Sequence, residues 1–232
     1  MKKVFLVMFL LIGLCGCKAE GDVLSSIENI LSKSMEKEEY RINNHMNYYS
    51  YYLPSDMGED PLDSDSVVIK YNDSKIIMNV NVNGIINARY YKDKYLKDDG
   101  FFVEDKLIYS KKGKYLSYDE SEKDYVYKLY KYNSLYIIHL YTSDMNYYGT
   151  ATYTDLEELS RQIMIIAKNT EVDTNAVTAK YSKIDVIDYQ KKQINLFDTI
   201  MPVNGELGSM LIEGAVIGDG SNQVEEIENT EE

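Results

Sequence analysis

Residues 66–154 repeat one pattern, in which short runs rich in Val, Ile and Tyr alternate with polar residues and end at turn residues. Such alternation is typical of β-strands, and the short connections favour antiparallel pairing between neighbours. SVVIKY (66–71) and KIIMNVNV (75–82) therefore predict a hairpin that turns at residues 72–74. A sheet of this kind has an apolar face that another layer must cover, which limits the chain to a few layered folds.

The same pattern predicts further strands. FFVEDKLIYSKKGKYLSYDE (101–120) predicts a second hairpin, with its turn at residues 111–113. Residues 125–154 predict three more strands, with breaks at 133–134 and 143–144, where polar residues replace the apolar run.

Helical patterns stand at both ends of these strands. An apolar stripe predicts a helix over 23–39, with its inner face formed by Val23, Ile27, Ile30, Leu31 and Met35. A second stripe predicts a helix directly after the last strand, formed by Leu156, Leu159, Ile163, Ile166 and Ala167. Thr154 and Glu157 predict a capping box at the start of that second helix.

The fold class follows from this order of elements. Gly149 and Ala151 lie on one face of the last predicted strand, and their small size leaves room for a closely packed helix. We therefore predict an α+β domain over residues 23–170, with an N-terminal helix and a closing helix on a mostly antiparallel sheet. Residues 171–201 are predicted to form a helical extension, and residues 202–232 a flexible acidic tail.

The tail is predicted to add little stability to the domain. It combines glycines, a short apolar piece and a run of Glu, which cannot offset roughly 1–2 kcal/mol of backbone ordering per residue. Truncation after Met201, which keeps the helix predicted at 184–200, is expected to leave the melting temperature nearly unchanged. A fall of more than about 4–8 °C would instead show that the tail belongs to the fold.

The first 17 residues, MKKVFLVMFLLIGLCGC, have the pattern of an export signal. Two lysines precede an apolar run over 4–14, which is too short to span a bilayer because spanning takes roughly 20 apolar residues. The run ends in a tetrapeptide that resembles the lipobox of bacterial lipoproteins, Leu14-Cys15-Gly16-Cys17.

The lipobox resemblance implies that residues 1–16 are a signal peptide and that residues 17–22 form a lipidated tether. Cys17 would carry a diacylglyceryl group with two acyl chains such as palmitate, which is enough for stable anchoring. The resemblance thus places the chain on the outer face of the cytoplasmic membrane. A metal or redox pair at Cys15 and Cys17 is less favoured, since the sequence has no other cysteine.

Catalysis and cofactor binding find little support in the sequence. A Ser or Thr triad needs a histidine base, and the two histidines, His45 and His139, both lie in Tyr-rich predicted strands without a Gly-x-Ser-x-Gly elbow. No Gly-rich phosphate loop is present, so no cofactor is predicted. The net charge of −13 argues against a nucleic-acid partner, because both surfaces would be negative.

One acidic loop is a candidate calcium site. Carboxylate oxygens are the ligands that Ca²⁺ prefers, although the spacing here fits no EF-hand and acidic turns are usually just solvated. The candidate ligands are Asp56, Glu59, Asp60, Asp63 and Asp65.

Two further resemblances concern the whole domain. The early strand pattern over 42–53, which ends in YYLPSD (51–56), and the closing strand and helix over 150–168 are similar to the Mog1/PsbP-like family. That likeness implies a non-enzymatic accessory or assembly protein. The opening helix VLSSIENILSKSM is also similar to LolA/LppX-like lipoproteins, which implies a lipid carrier.

The sequence therefore predicts a membrane-anchored extracytoplasmic lipoprotein that is not an enzyme. The first hypothesis is an accessory or assembly protein that binds a protein or cell-envelope partner, with Tyr-rich edge strands available for β-augmentation. The alternative is a carrier for an apolar, lipid-like ligand held between sheet and helix.

Overall fold

The computed structural model describes residues 20–37, 40–62, 65–90 and 104–181. Within these ranges the helices are α1 (Glu20–Ser32), α2 (Val82–Tyr90), α3 (Leu156–Lys168) and α4 (Thr174–Tyr181), with a 3-10 turn at Glu104–Lys106. The strands are β1 (Asn44–His45), β2 (Tyr49–Tyr51), β3 (Gly58–Pro61), β4 (Ser66–Tyr71), β5 (Ser74–Val80), β6 (Leu107–Leu116), β7 (Glu122–Tyr132), β8 (Leu135–Thr142), β9 (Met145–Thr152) and β10 (Thr170–Val172).

The strands form two antiparallel sheets. The larger has seven strands in the order β3-β4-β5-β9-β8-β7-β6, and the smaller has the order β1-β2-β10. Helices α1 and α3 contact each other, and α3 lies on β9 and β8. The predicted α+β class, with an N-terminal and a closing helix packed on a mostly antiparallel sheet, is confirmed.

The hydrophobic core lies between the large sheet and these two helices. Alternate residues of the central strands point into it, among them Ile76, Met78, Tyr127, Ile138 and Tyr147. The helices supply their predicted stripes from the other side, with Val23, Ile27 and Leu31 from α1 and Leu156, Leu159, Ile163, Ile166 and Ala167 from α3. The apolar spacing therefore predicted which helix faces are buried.

The bounds of α1 differ from the prediction of 23–39. The helix begins at Glu20, inside the predicted tether, and ends at Ser32, so Met35 lies beyond its end and is exposed. A contact with the sheet replaces the last predicted turns, because Leu116 N–H donates to the Ser34 carbonyl (3.2 Å) and the Ser34 hydroxyl donates to Lys114 (2.6 Å).

The predicted turn at 111–113 is wrong, because β6 runs straight through it. Gly113 is paired directly with Tyr125 of β7, and a Cβ at Gly113 would lie 2.7 Å from the Tyr125 hydroxyl oxygen. Glycine at this position permits the close approach of a ring from the neighbouring strand. A glycine within a strand pattern therefore need not mark a turn. The hairpin turns predicted at 72–74, 133–134 and 143–144 are confirmed.

The predicted capping box at Thr154 is also wrong. Asp155 is the N-cap residue of α3, and its side chain makes no capping bond to the helix. The Thr152 hydroxyl, which lies 2.8 Å from the Thr154 hydroxyl, donates instead to the Asp155 carboxylate (2.8 Å). The side chains of Thr154 and Asp155 therefore bond to Thr152 at the end of β9.

The packed body continues past residue 170, where the predicted domain ended. Strand β10 pairs with β2, and α4 packs on α2 with Val177 fully buried. The predicted helix at 184–200, the acidic tail, the signal peptide and Cys17 lie outside the described residues. In the part of the chain that the structure covers, no helix is both long and apolar enough to cross a membrane.

Candidate functional site

A groove of about 400 Å³ opens where the chain after α1 meets the turn between β6 and β7. We call it the Arg41 groove. Its walls come from two segments far apart in the sequence, and its lining residues are Lys37, Tyr40, Arg41, Leu116, Ser117, Tyr118 and Glu120.

The last residue of α3 ties the two walls together. The Lys168 ammonium donates to the Glu36 carbonyl on one side, and the Lys168 carbonyl accepts from Tyr118 N–H (2.8 Å) on the other. Tyr40 stacks on Tyr52, with ring centroids 4.6 Å apart, which orients the first wall against the small sheet. The groove is therefore assembled on the rigid helix–sheet core.

The second wall is a tight turn with an unusual backbone. Ser117 N–H donates to the Ser121 carbonyl (2.9 Å), and the Asp119 carboxylate accepts from the Ser121 hydroxyl (2.6 Å). That hydroxyl bond is the main reason that the pKa of Asp119 lies below its ordinary value. The turn thus holds its shape through bonds made by short polar side chains.

Glu120 occupies the strained position of this turn, with φ at 63°. The other non-glycine residues with positive φ in the described chain are Asn72 and Asn133, which suit that conformation better. The Glu120 carboxylate pairs with the Lys37 ammonium at 2.7 Å, which links the two walls. Glutamate therefore occupies a position whose backbone conformation favours Gly or Asn.

Arg41 differs from the two other arginines of the chain. Arg161 donates through Nε to Glu158 (2.9 Å), and Arg89 donates to the Asn175 side chain (2.9 Å). Arg41 is exposed and makes no hydrogen bond or ion pair with any described residue. Since Lys37 is paired with Glu120, Arg41 is the cation of the groove that has no carboxylate partner there.

Two further groups complete the lining. Tyr118 exposes 45% of its surface, whereas most aromatic residues that the structure describes are buried or half-buried. The Ser117 hydroxyl oxygen is buried and has no hydrogen-bond partner among the described residues. An unpaired buried hydroxyl costs roughly 1–3 kcal/mol, and this one has no exposed surface through which a ligand in the groove could reach it directly.

The structure places neither histidine in a catalytic group. His139 is fully buried and stacks on Tyr148, with ring centroids 4.5 Å apart. His45 Nδ1 lies 2.8 Å from the Ser50 hydroxyl on the exposed β1–β2 hairpin. Glu171 is in register with Ser50 from β10, on the far side of the serine, so it is not placed to orient the imidazole as in a triad.

The His45–Ser50 pair is a feature that the sequence analysis missed. The stretch 42–53 was predicted as one strand, but Met46 N–H donates to the Tyr49 carbonyl (2.8 Å) and turns the chain back on itself. Without that hairpin the two side chains would lie on opposite faces of a strand. No Gly or Pro marks the turn, and Asn47 is its one residue of a type common in turns.

The acidic loop does not gather its carboxylates. The Tyr51 hydroxyl donates to Glu59, the Lys70 ammonium pairs with Asp60, and the Tyr181 hydroxyl donates to Asp65. Asp56 is exposed, and Asp63 lies outside the described residues. Over the ranges that the structure describes, no three metal-ligating side chains of His, Cys, Asp or Glu come together.

The space between sheet and helix is filled where α3 crosses β9. A Cβ placed on Gly149 would lie 2.7 Å from Ile163 Cδ1 and 3.0 Å from Leu159 Cδ2. Beside it, the buried Tyr127 hydroxyl lies 2.8 Å from the Ser160 hydroxyl. Side chains of α3 therefore occupy the volume that a ligand at this crossing would need.

No protein family and no curated protein sequence matches the chain. The likenesses to the Mog1/PsbP-like and LolA/LppX-like families therefore stay predictions.

Proposed function

We propose that the chain is a lipid-anchored extracytoplasmic protein that binds a protein or cell-envelope partner and does no catalysis of its own. The observation that carries this proposal is the Arg41 groove, which offers a guanidinium unpaired among the described residues and an exposed tyrosine. These groups recognise a ligand, whereas a nucleophile with an oriented base is needed for hydrolysis.

The position of the groove suits an anchored protein. Helix α1 begins at Glu20, only three residues after the predicted lipidation site, and the groove lies just beyond its other end. A helix of 13 residues is about 20 Å long. An anchor at Cys17 would therefore hold one end of α1 at the membrane, and the groove at the opposite end of that helix.

Packing in the core supports binding at the surface over the carrier alternative. The carrier hypothesis placed an apolar ligand between sheet and helix, where Ile163 and Leu159 closely approach Gly149. A carrier of that kind would need α3 to move off the sheet. The groove needs no such movement, because it is already open to solvent.

Site-specific photo-cross-linking in intact cells tests the proposal. A photo-reactive amino acid replaces Tyr118 at the groove or, as a control, Asp73 in the exposed β4–β5 turn of the full chain. We expect a discrete adduct from position 118 that is missing from position 73. Equal labelling at both positions, together with lipid that co-purifies in stoichiometric amount, would contradict the proposal and support a carrier.

A further inference from the structure

We propose that the Arg41 groove binds an acidic group, a carboxylate or a phosphate, on a ligand whose adjoining ring or apolar part packs against Tyr118. This inference rests on the proposed binding role and names the chemistry of the ligand. Three observations support the inference. Arg41 has no partner among the described residues, Lys37 and Glu120 pair with each other, and the turn at residues 117–121 places Tyr118 in the groove lining.

Arg41 supplies the recognition of charge. A guanidinium presents N–H donors in a planar fork that matches carboxylate and phosphate oxygens, and such paired bonds are among the stronger ones in proteins. The chain has 38 acidic side chains to 25 basic ones, so a carboxylate partner within the protein would be easy to find. Arg41 nevertheless faces the groove with no such partner, whereas Arg161 is paired.

The Lys37–Glu120 pair sets the charge of the rest of the lining. Because the two groups lie 2.7 Å apart, they neutralise each other and leave the positive potential centred on Arg41. Glu120 holds this arrangement although its backbone conformation costs a residue other than Gly about 1–2 kcal/mol.

The overall negative charge of the chain does not prevent anion binding here. At 0.1 M salt the Debye length is about 10 Å, so exposed carboxylates at greater distances are largely screened. The anion would meet the Arg41 guanidinium in a groove that Tyr118 also lines. Its affinity should fall as salt is added, because the contact with Arg41 is partly exposed.

Binding of small probes to the full chain in neutral detergent tests the inference. Phenyl phosphate and benzoate carry a ring with each type of acidic group, and benzamide is the neutral control. We expect isothermal titration or NMR shift changes to report binding of one or both acids, with benzamide at least tenfold weaker. A preference for phenyl phosphate would assign a phosphate-bearing ligand, and a preference for benzoate a carboxylate.

Matched variants locate the probe. Arg41→Gln should weaken binding by about tenfold or more, as expected for loss of a charged hydrogen bond. Arg89→Gln makes the same change of charge on α2, at the contact with Asn175, and should leave the affinity within twofold.

Several outcomes would overturn the inference. These are equal binding of benzamide, no binding of either acid, or the same loss of affinity in the Arg41→Gln and Arg89→Gln variants. The proposed function stands or falls separately, since a specific cross-link from position 118 without acid binding would keep the partner role and reject only the acidic ligand. Absence of both results would reject both proposals.

Discussion

Replacement of Gly149 by valine is expected to destabilise the domain by about 1–3 kcal/mol, the usual cost of forcing extra methyl groups into a packed core. Gly149 lies in β9 directly beneath α3, and its missing side chain is the space that the helix uses. The first added carbon alone would lie 2.7 Å from Ile163 Cδ1 and 3.6 Å from Ile138 Cβ. Valine adds two more methyl groups for which the packing leaves no space, so we expect α3 to move away from the sheet.

Thermal unfolding followed by circular dichroism measures this effect. For a domain of 150–250 residues, 1 kcal/mol corresponds to about 2–4 °C, so we expect a fall of roughly 2–12 °C. Gly149→Ala should cost less, because its near neighbours are the ends of side chains that can shift. Gly58→Val on β3 is the matched control, since no atom lies within 4 Å of its Cβ position. Equal melting temperatures for the two valine variants would contradict the close packing of α3.

Replacement of Cys17 by alanine is expected to abolish lipidation completely. The thiol of Cys17 is the lipid acceptor that the lipobox resemblance implies. Cys15, the other cysteine of the sequence, follows Leu14 and not a small residue. Metabolic labelling with a clickable fatty acid measures the result, and fractionation shows whether the chain leaves the membrane. Loss of two acyl chains removes about 0.8 kcal/mol for each buried methylene, so we expect the chain either to be shed or to keep an uncleaved signal peptide.

Cys15→Ala is the matched control for this experiment. It removes the neighbouring thiol but leaves Leu14, Gly16 and Cys17 in place, so we expect labelling to persist. Fatty-acid label retained in the Cys17→Ala variant would overturn the assignment. Label lost from both variants would show that Cys15 is also needed for lipidation, and no label in the unaltered chain would overturn the lipoprotein assignment.

Local patterns predicted the elements that depend on nearby residues. The hairpin turns at 133–134 and 143–144 are short polar breaks between apolar runs, and the structure has them there. The apolar stripe that begins with Leu156 predicted the buried face of α3. The small Gly149 predicted that this helix packs closely on β9. In each case a spacing of two or about 3.6 residues carries the information.

Local patterns failed where a distant contact decides the outcome. Residues 111–113 have the sequence of a turn, yet Gly113 lies in β6 opposite Tyr125. The Tyr125 ring occupies the space that a side chain at position 113 would take. Helix α1 ends early because Ser34 bonds to β6, some 80 residues away in the chain. The hairpin that brings His45 to Ser50 has no Gly or Pro in its turn, and the single Asn47 was too weak a signal to predict it.

The sequence by itself determined the class of the fold, the buried faces of its helices and the cysteine expected to carry lipid, because each rests on residues within a few positions of one another. Only the tertiary structure decided the candidate site. Arg41 and Tyr118 come from segments that meet through Lys168, and nothing in the local sequence of either segment marks a binding residue. Whether an arginine is already paired depends on which carboxylates the fold brings near it, and that is a property of the packed chain alone.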